Sequence, residues 1–311
     1  MAVERLEKGA QVKTSREDII IKLLLAPIEA VRKDGPAISV EEVANYGKLQ
    51  PYPCIVSSQA YVSGRQNPKA YRTDPDMSDF AVGFYECIYK AVLEEADLKD
   101  SRILNPNGNL ANKCFAGDTM NSFNRPANAL GTIGKSRRER SKDGAHADRS
   151  KWPDYVKTYL LRYHCLANFW LLPADLGRNQ SKPGWDYMHR FLGRIVNEFK
   201  APKDTEKAFH MKYKEYFDQL ESLNRFIDIH AIECYFDGLR QNVQKLDGNT
   251  AKSRSEAFFK SHALGMMRER AKLLAKEYRE ELWEYFDSLN LTGKVSLLND
   301  FPALPLEDQT V

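Results

Sequence analysis

The chain has no CxxC pair, and its five cysteines, Cys54, Cys87, Cys114, Cys165 and Cys234, are scattered and odd in number. Neither a zinc ribbon nor a paired disulfide framework has that spacing, so buried free thiols in a reducing compartment are the simpler reading. Long apolar runs are also missing. The longest lies around Ile19 to Pro27, is interrupted by Lys22, and is too short to span a bilayer. MAVERLEKGA at the N-terminus lacks the apolar core of a signal peptide. The expected location is the cytoplasm, with no membrane partner. There is no large excess of charge either: 46 Lys and Arg face 43 Asp and Glu, a formal net charge of +3. That balance excludes a global pull toward nucleic acid or anionic lipid and leaves only a local patch to do such work. No internal repeat is visible.

What the chain does have is apolar residues at helical spacing, with 42% hydrophobic residues, 15 Phe, 15 Tyr and 4 Trp. That composition suits a soluble globular protein with a sizeable core. Ser15 is placed to cap a helix over residues 16–33, bent at Pro27. Ser39 and Glu42 form a capping-box pattern for a short helix. PYPCIVSSQAYVS, Pro51 to Ser63, is the best strand candidate. Ser78 to Ala96 predicts an amphipathic helix with Phe80, Phe84, Ile88 and Val92 along one side. Further helices are expected from Pro153 to about Asn168, Trp185 to Phe199, Thr205 to Leu223, Asn224 to Leu246, and Ser255 to Asn290. The last carries a stripe of Phe258, His262, Met266, Leu273, Leu282 and Phe286 that reads as core packing. The expected fold is mainly α, a multi-helix globular domain with at most a small β element near residues 51–63. Its expected divisions are 1–76, a central part 77–200, a C-terminal helical bundle 201–300 and a tail 301–311.

Two strings in the central part place amides, a carboxylate, a histidine and hydroxyls directly beside large apolar residues. They are CFAGDTMNSFN, Cys114 to Asn124, and YHCLANFWLLPADLGR, Tyr163 to Arg178. Buried amides must be satisfied or presented to a ligand, so these strings are the place to look for function. GDTMNSFN admits two readings. Asp118 and Asn121 can offer oxygen to a hard cation, or Asp118 can cap a helix start with Asn121 in its first turn. His164 and Asn168, one helical turn apart, either serve a site or join a buried polar network. Between the strings runs GKSRRERSKDGAHADRSK, residues 134–151, with seven basic against three acidic residues. Such a run can make salt-dependent phosphate contacts and is equally consistent with a solvated loop.

LANFWLLP is similar to the Asn-containing GNLTLLP-type string of HNH-related nucleases. In that family a histidine activates water, an asparagine orients it and a third residue helps hold a divalent metal. The resemblance implies His146 as general base, Asn168 as the orienting amide, and Asn179 or His189 as the third member, with Mg²⁺ or Mn²⁺ as the metal. His146 sits in GAHADRS rather than on an apolar strand, which departs from the family pattern. Arg225 to His230, and also Arg140 to His146, are similar to the Arg-x(4–6)-His string of helical HEPN-class ribonucleases, which cleave without metal. The pair GDTMNSFN and YHCLANFWLLP resembles an uncharacterised bacterial family over roughly residues 79–199, a resemblance that implies no activity.

The sequence therefore predicts a nucleic-acid-directed protein, in its sharpest form a metal-dependent nuclease. The expected catalytic residues are His164, Asn168, His146 and Asp118. Asn121, Arg137, Arg138, Arg140 and Arg178 are expected to contact substrate, with nucleic acid bound through residues 135–151. The rival expectation is a non-catalytic interaction protein that pairs with itself through its C-terminal helices.

Overall fold

The computed structural model describes residues 14–32, 55–59, 72–73, 75–95, 115–121, 158–159, 162–173, 188–200, 222–238, 240, 242–244 and 263–298. Helices dominate, as the apolar periodicity predicts. Helix α1 spans Arg16–Leu24 and opens on a capping box: the Ser15 hydroxyl accepts from the Asp18 N–H, and the Asp18 carboxylate accepts from the Ser15 N–H. Its buried residues Ile20, Leu23 and Leu24 face α5 (Met266–Glu277) and α6 (Arg279–Ser288). Helix α2, Asp79–Glu95, buries Phe80, Phe84 and Ile88 as their spacing predicts. Helices α3, Met188–Lys200, and α4, Leu223–His230, pack together through Phe199 and Phe226.

The β structure is small but reaches beyond residues 51–63. Strand β1, Ile28–Arg32, pairs in parallel with β2, Ile55–Gln59, and antiparallel with β3, Arg72–Thr73. Strand β4, Phe115–Thr119, pairs antiparallel with β5, Phe169–Pro173. Three expected helices are corrected by these pairings. Helix α1 stops at Leu24, because Pro27 supplies no N–H and the Pro27 carbonyl instead accepts from Ile55 N–H. GDTMN is strand followed by a bend, so Asp118 caps no helix. The segment before β5 leaves helix after Arg162, bends, and enters a 3₁₀ turn at Leu166–Asn168.

Two helices are also shorter than their periodicity suggests. Helix α4 closes with Ala231 in the left-handed region at φ 49°, while the Ile232 N–H bonds back to the Ile227 carbonyl. The expected helix 255–290 is interrupted at Tyr278, where φ −114° and ψ 38° separate α5 from α6. The short helix expected to open at Ser39, and the one expected from Thr205 to Leu223 apart from Ser222 and Leu223, lie outside the described residues.

One hydrophobic core runs from Ile20 to Val295 and draws on the N-terminal, central and C-terminal parts alike. Close approach of α2 to α6 depends on Gly83, since a Cβ there would meet the Tyr285 ring at 2.5 Å. Tyr285 in turn donates to the Phe80 carbonyl and stacks on the Phe80 ring. Of the expected stripe, Leu282 and Phe286 are fully buried in this core and Met266 and Leu273 are partly buried against it, while Phe258 and His262 lie outside the described residues. No helix among the described residues is long and apolar enough to cross a membrane.

Candidate functional site

The two polar-aromatic strings meet as the β4–β5 ladder. Asp118 is paired with Trp170 and Thr119 with Phe169. Beyond the ladder, Met120 N–H donates to the Asn168 carbonyl at 2.7 Å, so the joint continues into the bend. The Asn168 side chain then closes it. Its Oδ1 accepts from both the Asn121 backbone N–H and the Asn121 Nδ2, each at 3.0 Å. Its Nδ2 donates to the Tyr163 carbonyl at 2.8 Å, which fixes which end of the amide is oxygen. Asn121 Nδ2 also donates to the Tyr235 hydroxyl at 2.7 Å, and the Tyr159 hydroxyl donates to the Asn121 carbonyl at 2.6 Å. Asn121 and Asn168 are both fully buried.

A second buried network adjoins the first. Arg270 on α5 is fully buried and donates from Nε to the His230 carbonyl at 2.9 Å. Its Nη1 donates to the carbonyls of Ala167 at 2.9 Å and Phe169 at 2.8 Å, with a longer contact to Leu166. His230 is packed among the rings of Phe226, Trp170 and Tyr89. Its Nδ1 lies 2.8 Å from the Tyr89 hydroxyl. Burial pushes the Tyr89 phenol well above its usual range, so the hydroxyl keeps its proton. It can therefore donate to Nδ1, leaving His230 as the neutral tautomer with its proton on Nε2. Burial first, and the Arg270 charge second, hold His230 well below the usual histidine range.

A pH dependence follows. Where the folded-state pKa is depressed, the unfolded chain takes up a proton first as pH falls below about 6.5, and stability drops with it. At most one proton is involved, so the loss from His230 is bounded at about 1.4 kcal/mol per pH unit. Urea melts at pH 7.5 and pH 5.5 should separate, and His230→Gln should flatten its share of that dependence. An unchanged slope in His230→Gln would rule out His230 as its source.

Of the expected site residues, the structure brings Asn121 and Asn168 together and gives both a holding task. Asp118 is half-buried, and its Oδ1 accepts from the Thr119 N–H at 2.7 Å. His164 is half-buried, with its ring against Tyr163 and Phe169 and its carbonyl accepting from Ile28 N–H. His146, Arg137, Arg138, Arg140, Arg178 and Asn179 lie outside the described residues. His189 falls in the first turn of α3, with its side chain undescribed. Among the described residues no three His, Cys, Asp or Glu side chains gather as a metal site. Asp118 Oδ1 takes the Thr119 N–H, whereas Asn121 meets Asn168 and Tyr235 through its Nδ2 and its Oδ1 accepts no hydrogen bond among the described residues. The HEPN-like string places its histidine, His230, fully inside the core. There its Nδ1 lies within hydrogen-bond distance of the Tyr89 hydroxyl.

Comparison with protein-family models, curated proteins and solved structures finds no match. The site is therefore read from its own geometry. Sequence reading missed Arg270, Tyr89, Tyr159 and Tyr235. Arg270 was detectable: in a helix it shares a face with Met267, Ala271 and Leu274, all buried, which puts a guanidinium on the apolar stripe.

Proposed function

We propose that the protein is directed to nucleic acid, with phosphate contacts made by the basic residues 135–151. The observation that carries this reading is the joint between β4 and β5. Asn121 and Tyr159 stand on either side of the segment 122–157 in sequence, and the Tyr159 hydroxyl bonds the Asn121 carbonyl. The residues that bracket the basic run in sequence thus meet at one buried point, and the seven positive residues between them are the local excess that can contact phosphate.

The sharper, HNH-like form of the proposal draws support from the order of elements. Strands β4 and β5 are antiparallel and are followed by α3, which contacts β5 through Phe191 against Trp170. Asn168 immediately precedes the second strand. In this reading His146 is the candidate base, and Asn168 holds the two strands rather than orienting water. The fully buried, hydrogen-bonded state of both asparagines favours a second reading: binding without cleavage.

The test uses the full chain with single-stranded and duplex DNA and RNA, across a salt series. Binding should weaken with salt, and the triple variant Arg137→Ala, Arg138→Ala, Arg140→Ala should lower the log–log slope by roughly 3. Absence of salt-dependent binding would overturn the proposal and favour the protein-interaction alternative. The same mixtures with Mg²⁺ or Mn²⁺ decide between the two forms. Cleavage lost in His146→Ala supports the nuclease, and binding with no cleavage supports the binding protein.

A further inference from the structure

Arg270 is a fully buried guanidinium that donates to four backbone carbonyls and, among the described residues, to no carboxylate, with the Tyr89 hydroxyl also beside it. Its Nη2 makes none of the bonds to those carbonyls. Desolvating a charge without an opposite charge is costly, and a methionine or leucine would fill the space without that cost. An arginine at this point must therefore do something an apolar side chain cannot. The carbonyls it gathers identify the task. Ala167 and Phe169 flank Asn168, so one Nη1 holds the carbonyls of the residues on both sides of it. Nε holds the last residue of α4 at the same time. Only a planar fork spans these two sets of acceptors from one side chain.

We propose that Arg270 is a positioning residue: from the C-terminal helices it sets the orientation of Asn168, and through Asn168 it sets the Asn121 joint between β4 and β5. The chain of contacts is continuous. Arg270 fixes the 3₁₀ turn at Leu166–Asn168, that turn aims Asn168 Oδ1 at the Asn121 N–H and Nδ2, and Tyr235 braces Asn121 from the C-terminal side. The joint is thus built from residues of the central strings and of the C-terminal helices. Its effect on binding rests on the nucleic-acid reading above. Its effect on Asn168 does not.

The experiment compares the full wild-type chain with Arg270→Lys, using nuclear magnetic resonance of side-chain N–H groups and a binding titration. Lysine keeps the charge but offers one ammonium, which cannot reach His230, Ala167 and Phe169 together. In the folded variant the side-chain amide protons of Asn121 and Asn168 should exchange at least ~10-fold faster, while amides of α1 and α6 stay unchanged. If the nucleic-acid reading holds, affinity at fixed salt should fall about tenfold with an unchanged salt slope, because the number of phosphate contacts is the same. A merely space-filling arginine would lower the melting temperature and move neither readout. Unaltered Asn121 and Asn168 exchange in Arg270→Lys would overturn the proposal. Should that variant not fold, wild type alone decides: the Arg270 Nε–H must be slow to exchange, and exchange as fast as that of a surface arginine overturns the proposal. Failure of the wild-type chain to bind any nucleic acid sinks the nucleic-acid reading alone, because the amide exchange still reports on Arg270.

Discussion

Replacing Asn168 with leucine is expected to destabilise the protein by about 4 kcal/mol, since it leaves two buried backbone groups unpaired at roughly 1–3 kcal/mol each. Those groups are the Asn121 N–H and the Tyr163 carbonyl, at 3.0 and 2.8 Å from the Asn168 amide. Leucine matches the amide closely in size, so the loss isolates the hydrogen bonds from cavity formation. Asn168→Asp should be milder at the Asn121 side, because a carboxylate still accepts there. It should remain damaging at the Tyr163 carbonyl, which needs a donor. A double-mutant cycle with Asn121→Ala and Asn168→Ala, followed by urea denaturation, should return a coupling of about 1 kcal/mol or more. Strict additivity would mean that the two asparagines do not act as one joint.

Gly117→Ala is expected to cost about 3 kcal/mol, the upper end for overpacking a rigid site. A Cβ there would lie 2.2 Å from the Asp76 carbonyl oxygen and 2.6 Å from the Tyr85 hydroxyl. Those two atoms are bonded to each other at 3.0 Å, and Tyr85 is almost wholly buried, so neither has room to retreat. The strand itself would have to move, and β4 is held by its full register with β5 and by the Met120 and Asn121 bonds beyond it. Gly193→Ala is the control. It lies in α3 with nothing among the described residues within 4 Å of an added Cβ, so alanine should stabilise by about 0.5–1 kcal/mol through helix propensity alone. Equal melting points for Gly117→Ala and wild type would show that β4 can shift freely and would remove the steric argument.

Several elements were legible because their causes are local. Ser15 and Asp18 cap α1 through contacts three residues apart, and the sequence displays both partners. Phe80, Phe84 and Ile88 recur at the helical period and are buried on one face of α2. Leu282 and Phe286 likewise mark the buried face of α6. What remained hidden was created by distant pairing. IEAVR after Pro27 continues a helical pattern when read alone, and becomes a strand because Ile28–Arg32 finds Ile55–Gln59. FWLLP is a short apolar run that periodicity cannot divide between helix end and strand. Its strand state follows from pairing with Phe115–Thr119.

The candidate site divides along the same line. The sequence by itself determined that the chemistry-bearing residues cluster in two strings separated by a basic run. It also determined that the chain is mainly α with no apolar run long enough to cross a bilayer. Local composition and period settle such questions. Only the tertiary structure decided that Asn121 and Asn168 bind each other, that His230 is buried against Tyr89, and that Arg270 enters the core to hold the turn around Asn168. The physical reason is satisfaction: a buried amide, imidazole or guanidinium takes its role from whichever partner arrives beside it. In this protein those partners come from positions as far apart as Tyr89 and Arg270.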